Sequence, residues 1–324
     1  MPMSNGFYQL NPDQVLASVE NAGFQTTGVF WQLNSYENRV FDIELEAGEG
    51  DLLPQRVIAK FYRPGRWSQA AILEEHQFLQ ELAEEDVSAV APLLQKNQKT
   101  LSLQDNIFLA LFPKFKGRMP QELSLSEMTQ VGSLLARLHN LGAGQRSQHR
   151  PILNTEYYGG WNTLDYLQPL VAPEVRDRYL QAATHILNVM DDTFDVRKFI
   201  RIHGDCHRGN LLKTENRFAI IDFDDFCMGP EVQDFWMLLS GDQDQLEAEK
   251  EALLEGYSSF REFPEEQWEW IPLLRGLRLI SYSGWIAHRW DDPSFPKLFP
   301  EFNTYKYWAE ETEALEKIAW LLHF

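Results

Sequence analysis

Residues 201–225 constrain this chain more than any other segment, because a polar loop there is followed by an apolar strand that ends in carboxylates. The segment reads RIHGDCHRGNLLKTENRFAIIDFDD, with Asp205 after a His-Gly pair, Asn210 five residues later and Asp222 at the strand end. Phosphoryl transfer from a magnesium nucleotide needs a carboxylate that orients and deprotonates a hydroxyl, together with an amide oxygen and a second carboxylate for the metal. Two hard oxygen ligands suit Mg²⁺, which takes further ligands from water and phosphate. The segment therefore predicts a phosphoryl-transfer site.

The composition is that of a globular protein and argues against a polyanionic partner. The chain has 324 residues, of which 44% are hydrophobic and 24% charged, and this length favours two packed units over one. Nucleic-acid binding needs a basic patch, whereas the net charge is -19 and no long basic run is present. No run approaches the roughly 20 apolar residues of a membrane helix. We therefore expect neither a nucleic-acid partner nor a membrane partner.

The cysteines and the amino terminus indicate a cytoplasmic protein. Only Cys206 and Cys227 are present and they form no CxxC pair, which favours a reducing compartment over a disulfide framework. The first residues, MPMSNGFYQL, lack the basic and apolar stretches of a signal peptide. We expect a cytoplasmic monomer.

The first third of the chain reads as a small antiparallel sheet with a helix packed on it. A short helix is predicted between a cap at Asn11 and a stop at Gly23. A second helix begins at Ser68, with apolar residues at helical spacing. Runs of β-forming residues, with a turn predicted at 47–54, indicate strands at 28–33, 39–46, 55–61, 100–103 and 107–112.

After Pro113 the pattern becomes almost entirely helical, so we place the boundary between two lobes there. A helix is predicted at 126–141, with Gly142 as its end. The sequence thus predicts an α+β chain with an amino-terminal lobe at 1–113 and a larger, mainly helical lobe at 114–324. The other predicted helices of the second lobe span residues 173–190, 230–240, 243–260, 265–290 and 302–322.

Several strings in this sequence resemble a known superfamily. HGDCHRGN, followed by IDFDD and GPEVQDFWMLLSGD, resembles the signature of the protein-kinase-like superfamily that contains aminoglycoside phosphotransferases, choline kinases and homoserine kinases. LNSYENRV, KFYRPGRW and ILEEHQF narrow the resemblance to the bacterial stress response kinase A family, also called the RdoA or YihE type. The resemblance runs from about Leu33 to the final helix. It implies a two-lobe protein-kinase-like fold, ATP as co-substrate and Mg²⁺, and the members are described as serine/threonine protein kinases.

The resemblance assigns roles to three residues of the opening segment. Asp205 is the catalytic carboxylate that accepts or orients the hydroxyl proton of the acceptor. Asn210 binds one magnesium ion, and Asp222 bridges the metal to the β and γ phosphates. A lone Asp in such a turn is ordinarily a capping residue, but Asn210 and Asp222 follow at the spacing that the family uses.

The neighbours of these residues leave two alternatives open. His203, Cys206 and His207 could suggest zinc, but three ligands within five residues would strain a tetrahedral site, so we prefer His203 as a scaffold that bonds nearby backbone. Asp224 either assists a second metal or is a solvated surface carboxylate. By the resemblance, Asp234 anchors the catalytic loop through backbone amides.

The amino-terminal lobe supplies the candidate nucleotide contacts. Lys60 lies in the apolar strand QRVIAKF, where a buried ammonium needs a partner. In kinase folds the partners are the α and β phosphates and a glutamate of the next helix. Glu74 and Glu75 both lie there, and we choose Glu75, although a shift by one residue would exchange them.

The turn NSYENR stands where protein kinases have GxGxxG. Its backbone amides and the Ser35 hydroxyl can still donate to phosphate oxygens, so Ser35 is a candidate nucleotide contact. The alternative is a plain hairpin turn capped by Asn34 or Ser35.

The sequence therefore predicts an ATP- and Mg²⁺-dependent kinase whose acceptors are serine and threonine residues of proteins, including its own. A small-molecule kinase for an amino alcohol or aminosugar is the main alternative, because an acidic lobe suits a cationic acceptor. A nucleotide-binding pseudokinase is a third hypothesis. The complete set of Lys60, Asp205, Asn210 and Asp222 argues against it.

Overall fold

The computed structural model describes residues 7, 10–47, 55–156, 159–215 and 217–322. The turn predicted at 47–54 lies outside the described residues, apart from Ala47. Helix α1 spans Pro12–Asn21 and α2 spans Gln69–Glu84, and the side chains of Asn11 and Ser68 cap them as expected. The strands of this part are β1 at Thr26–Leu33, β2 at Arg39–Leu45, β3 at Arg56–Phe61, β4 at Leu101–Gln104 and β5 at Ile107–Pro113.

These strands form one five-stranded antiparallel sheet in the order β1-β2-β3-β5-β4. Strand β3 is central, and its Lys60 lies between Val40 of β2 and Ala110 of β5. One face of the sheet packs against α1 through an apolar cluster that includes Val15, Val19 and Phe41. Lys60 therefore lies in the interior of the sheet, with a paired strand on each side.

Helix α2 joins this sheet to the rest of the molecule. Its Ile72 packs with Tyr62 and Ala110 of the sheet. Nearly two and nearly three turns later, Phe78 and Leu82 belong to the large core of the carboxy-terminal part. Because α2 packs on both sides, the side chains at its middle are held between the two parts of the chain.

The remaining chain is mainly helical, with four short strands. The strand-like region predicted at 201–225 contributes to two small antiparallel ribbons, which pair residues 200–202 with 227–229 and residues 211–213 with 218–220. The helices are α3 at Leu125–Ala143, α4 at Trp161–Leu167, α5 at Arg176–Thr193, α6 at Gln233–Trp236, α7 at Gln243–Ser258, α8 at Ile271–His288, α9 at Phe295–Leu298 and α10 at Tyr305–Leu321. The strands are β6 at Ile200–Ile202, β7 at Leu211–Lys213, β8 at Phe218–Ile220 and β9 at Cys227–Gly229.

The sheet and the helices together form the mixed α+β architecture that the sequence predicts. No helix among the described residues is long and apolar enough to span a bilayer.

The end of α3 differs from the prediction. Gly142 was expected to stop the helix, but α3 continues to Ala143 and Gly144 caps it. Gly142 is required for another reason, because a Cβ atom there would lie 2.1 Å from the carbonyl oxygen of Arg201 in β6. The glycine permits close packing of α3 against the strand that leads into the HGD loop.

Other boundaries also differ from the predictions. The helix predicted at 265–290 divides into a 3₁₀ segment, Glu265–Trp270, followed by α8. Pro272 marks the change, since proline fits the first turn of a helix but not its interior. The helix predicted at 230–240 is only α6, and helices α4 and α9 were not predicted because both are short.

Replacing Gly142 by alanine tests the packing of α3 on β6. The new methyl group would overlap the Arg201 carbonyl, so we expect G142A to lower the free energy of unfolding by about 2 kcal/mol. A Cβ atom at Gly144 would lie 3.3 Å from the carbonyl oxygen of Leu141. We expect G144A to change the free energy by about 0.5 kcal/mol or less. Urea denaturation of both variants measures this, and equal effects would refute the close-packing explanation.

Candidate active site

Asp234 holds the backbone of the loop that follows β6. Gly204 adopts φ +85°, which favours glycine, and its amide and that of His203 each donate to the Asp234 carboxylate at 2.8 Å. His139 of α3 contacts the same carboxylate at 3.1 Å. These contacts confirm the anchoring role that the resemblance implies for Asp234.

His203 ties this loop to the end of β8. Its Nε2 lies 2.9 Å from the carbonyl oxygen of Ile221, and its Nδ1 accepts the amide of Asp205 at 3.2 Å. These partners assign the ring proton to Nε2. The scaffold role predicted for His203 is confirmed, because Ile221 directly precedes Asp222.

Asp205 lies at the loop tip between two basic side chains. Arg278 of α8 donates to Asp205 Oδ1 at 2.9 Å, and His207 Nε2 lies 3.4 Å from Oδ2. Burial acts to raise the pKa of Asp205, but the His207 and Arg278 contacts hold it below its usual value. Asp205 is therefore a carboxylate at neutral pH. Cys206 beside it is buried, which raises the pKa of its thiol and disfavours the thiolate.

Asn210 and Asp222 are brought together by the β7–β8 ribbon. The Asn210 side-chain NH₂ donates to the carbonyl oxygen of Asp205 at 2.9 Å, and the Ile221 amide donates to the Asn210 carbonyl oxygen at 3.0 Å. The amide Oδ1 of Asn210 is thus oriented away from this bond. Asp222 has φ +61°, a left-handed conformation that costs free energy in a non-glycine residue and is often found at functional sites.

Lys60 reaches from the sheet to three carboxylates. Its Nζ lies 3.0 Å from Asp224, 3.3 Å from Asp222 and 3.7 Å from Glu75. Burial acts to lower the pKa of Lys60, but the carboxylates of Asp224 and Glu75 raise it well above its ordinary value. Lys60 is therefore a fixed positive charge at the junction of β3, α2 and the strand end at Asp222.

Glu74 and Glu75 face different partners. Glu75 is buried beside Lys60, whereas the Glu74 carboxylate accepts the amides of Gln148 and His149 at 2.7 and 2.9 Å. Glu74 also bonds the Ser147 hydroxyl. Of the two alternatives that the sequence left open, the geometry brings Glu75 to Lys60.

Asp224 is not the solvated surface carboxylate that the sequence allowed. It is 4% exposed and forms ion pairs with Lys60 and with Arg66, the latter at 2.6 Å. Burial acts to raise the pKa of Asp224, but Arg66 and Lys60 lower it. Arg66 was not predicted as a site residue, although it lies in KFYRPGRW. Its other terminal nitrogen bonds Asp225 at 2.6 Å.

Ser35 caps the turn between β1 and β2 and remains exposed to solvent. The Ser35 hydroxyl oxygen accepts the amide of Asn38 at 3.2 Å, which is the hairpin-capping geometry. Ser35 is exposed, and its hydroxyl hydrogen can still donate to a ligand.

A buried ionic cluster fastens this turn to the carboxy-terminal part of the chain. Glu37 accepts from Arg289 at 2.6 Å and from the indole nitrogen of Trp285 at 2.8 Å. Arg63 donates to the Glu37 carbonyl at 2.9 Å and contacts Asp292 at 3.3 Å. This cluster could not be predicted from the sequence because its partners lie far apart in the chain.

The site combines the positive charges of Lys60, Arg66 and Arg278 with several carboxylates and the amide oxygen of Asn210. Asp222 and Asn210 are hard oxygen donors of the kind that Mg²⁺ prefers, and the Asp222 side chain is 53% exposed. Asp205 lies on the same loop as Asn210 and is positioned to contact an acceptor hydroxyl. These residues can therefore bind a metal nucleotide and a hydroxyl side by side.

Comparison with known proteins agrees with this geometry. The family described as "Phosphotransferase enzyme family" matches residues 32–271. Stress response kinase A of Escherichia coli (strain K12) is 35% identical over 311 residues, covering 94% of this chain and 92% of that protein. Serine/threonine protein kinase RdoA of Salmonella typhimurium LT2 is 33% identical over 319 residues, covering 98% and 95%.

Solved structures share the fold at low sequence identity. Amicoumacin kinase hAmiN, in complex with AMP-PNP, Ca²⁺ and Ami, has a TM-score of 0.76 at 17% identity and covers 97% of this chain and 96% of that chain. The microcompartment-associated aminopropanol kinase has a TM-score of 0.71 at 18% identity and covers 95% and 99%. The two-lobe kinase-like fold is therefore established.

Neutralising Glu75 or Glu74 tests which glutamate supports Lys60. We expect E75Q to weaken the binding of an ATP analogue about tenfold, because Lys60 loses a charged contact that holds its ammonium in place. The adjacent E74Q variant should change the affinity less than about twofold, since Glu74 bonds the 147–149 loop instead. Isothermal titration calorimetry measures both, and a larger loss in E74Q would contradict the assignment.

Proposed function

The chain belongs to the phosphotransferase enzyme family and, within it, to the stress response kinase A family, and we propose that it transfers the γ-phosphoryl group of ATP to serine and threonine hydroxyls of proteins, including its own. The observation that carries the proposal is the contact of Lys60 with Asp222 across 162 residues of sequence. This contact joins a phosphate-binding candidate on the sheet to a metal-binding candidate beside the HGD loop. A relative that bears the name serine/threonine protein kinase RdoA supports the choice of acceptor.

Lys60 and Ser35 bind the nucleotide in this proposal. Lys60 pairs with the α and β phosphates while Glu75 holds its ammonium in position. The Ser35 hydroxyl and the amides of its turn donate to phosphate oxygens. The ion pairs of Glu37 with Arg289 and of Arg63 with Asp292 keep that turn over the cleft.

Asn210, through its amide oxygen, and Asp222, through its carboxylate, would hold Mg²⁺. Their hard oxygen atoms fit this ion, and the amide of Asn210 is already oriented by its bond to the Asp205 carbonyl. When bound, Mg²⁺ neutralises charge on the β and γ phosphates. The left-handed backbone at Asp222 aims its carboxylate into the cleft beside Lys60.

Asp205 orients the acceptor hydroxyl and takes its proton. The acceptor oxygen forms a bond to the γ phosphorus while the bond from that phosphorus to the bridging oxygen of ADP breaks. The proton of the hydroxyl passes to the Asp205 carboxylate, and ADP leaves with the electron pair of the broken bond. The low pKa of Asp205 keeps it ionised before the step.

We also propose how the lobes of the chain are divided and where the protein is located in the cell. We place the lobe boundary at Pro113, with a nucleotide-binding lobe at 1–113 and a catalytic and substrate lobe at 114–324. Both cysteines are buried and unbonded, which supports a reducing, cytoplasmic location. We further propose a monomer.

A small-molecule kinase is the second candidate. The structural similarity to amicoumacin kinase and to aminopropanol kinase favours it, since both names denote kinases of small molecules. An assay with radiolabelled ATP distinguishes a protein kinase from a small-molecule kinase. Label on a serine or threonine of a protein, seen on a gel, supports the proposal. Turnover with small alcohols, amino alcohols or aminosugars, without a labelled protein, would contradict it.

Alanine at Asp222 and at Asp205 tests the division of roles. D222A should lose metal-dependent ATP binding together with turnover, because it removes the metal carboxylate. D205A should keep ATP affinity within about threefold while turnover falls at least about 100-fold, the range typical of a lost acid-base group. Calorimetry and a radiolabel assay measure the two quantities. Equal loss of ATP affinity in both variants would show that the roles are wrongly divided.

If wild type and D205A turn over ATP equally, at background, the chain is a pseudokinase. This outcome would reject the enzymatic proposal while leaving nucleotide binding in place.

A further inference from the structure

One side of α8 lines the cleft from the HGD loop to the turn of Ser35. Arg275, Arg278 and Tyr282 are its exposed residues there, and Trp285, together with Arg289 directly after the last helical residue, continues the spacing of three and four residues. Residues at this spacing lie on one face of a helix. We call these five residues the α8 stripe.

The contacts of the α8 stripe show which parts of the site it passes. Arg275 lies over the ring of Trp236 at 5.6 Å, and Arg278 donates to Asp205 at 2.9 Å. At the other end, Trp285 and Arg289 bond Glu37. The stripe therefore passes the proposed catalytic carboxylate at its second residue.

The middle of the stripe carries an aromatic surface. Tyr282 stacks on Trp285 with ring centroids 5.7 Å apart, and Tyr36 of the opposite turn meets Trp285 at 6.4 Å. Tyr36 is 60% exposed and Tyr282 is 44% exposed. Two aromatic rings, one from each side of Trp285, thus remain accessible, and Tyr282 lies one helical turn from Arg278.

The charge of the stripe is opposite to that of the whole chain. Helix α8 contains no Asp or Glu, although the net charge of the chain is -19. Arg278 is 45% exposed at its side chain, and His207 lies on the other side of Asp205. The half-exposed guanidinium of Arg278 therefore flanks Asp205 where an acceptor would approach.

We propose that the α8 stripe is the acceptor subsite and that it selects a serine or threonine flanked by an acidic residue. Arg278 pairs with the flanking carboxylate, and Tyr282 packs against the apolar part of the acceptor segment. This inference rests on the proposed phosphotransfer function and names the substrate class of the same site.

The chemistry of Arg278 suits this role. A guanidinium has five N–H donors, so Arg278 can keep its bond to Asp205 and still offer donors to a second carboxylate. Arginine binds carboxylates in a planar, two-point geometry, which gives specificity as well as affinity. A lysine-flanked or aminosugar acceptor would instead be repelled by Arg278 and Arg275.

Three peptides of equal length test the subsite, each with one serine flanked by glutamate, alanine or lysine. We expect kcat/KM of the wild-type chain to be about tenfold higher for the glutamate peptide than for the alanine peptide, mainly through KM. The R278Q variant should reduce this ratio to about twofold or less, because the pairing charge is gone.

The R178Q variant is the matched control. It removes the same charge from an exposed pair with Glu316 that links α5 and α10, away from the cleft, so the glutamate preference should persist. Preference for the lysine peptide in wild type, or a glutamate preference that survives in R278Q, would overturn the subsite.

A binding measurement separates this inference from the proposed function. Fluorescence anisotropy follows labelled peptides, with alanine in place of serine, as they bind the full chain in the presence of AMP-PNP and Mg²⁺. Tighter binding of the glutamate peptide that is lost in R278Q supports the subsite, whether or not any peptide is phosphorylated. If such binding occurs without phosphorylation, only the proposed protein-kinase function is rejected. Phosphorylation and binding without a charge preference refute the subsite and leave the assignment intact.

Discussion

A buried ammonium group joins the sheet of this protein to its helical part. Lys60 is 6% exposed and contacts carboxylates from α2 and from the segment after β8. Removing one partner from a buried ion pair costs about 3–5 kcal/mol, because a charge is left without compensation. The positions of Glu75, Asp222 and Asp224 are therefore coupled to one another through Lys60. In the proposed function a nucleotide phosphate that binds Lys60 would enter this cluster, so nucleotide binding would be linked to the relative position of the two parts.

The rest of the site is held by backbone contacts rather than by further charges. Asp234 accepts two loop amides, and His203 bridges the loop to Ile221, so Asp205 and Asp222 are positioned by one connected network. The left-handed conformation of Asp222 persists because this network determines it. On the opposite side, Glu37 ties the turn of Ser35 to the end of α8. The cleft is thus preorganised on both walls, which lowers the cost of ordering the reactants.

The local features of the fold could be predicted, but the contacts between distant segments could not. Caps such as Asn11 and Ser68 follow from side-chain chemistry within a few residues, and the sequence identified both. The ion pairs of Arg66 with Asp224 and of Arg278 with Asp205 join residues that no sequence spacing relates. Gly142 shows a related limit, since the sequence revealed a glycine but not the Arg201 carbonyl that requires it. Short motifs therefore identified Asp205, Asn210 and Asp222 as candidates, whereas the charges that surround them became visible only in the folded chain.

Transfer of phosphate to proteins, rather than to small molecules, is the part of the proposed function on which the acceptor subsite depends. Quantitative comparison of serine and threonine phosphorylation in cells that express the wild-type chain and in cells that express D205A tests it most directly. We expect a set of phosphorylated sites that is present with the wild type and lost with D205A, while the abundance of the two chains is equal. Identical phosphorylation in both, accompanied by a phosphorylated small molecule that only the wild type produces, would contradict it.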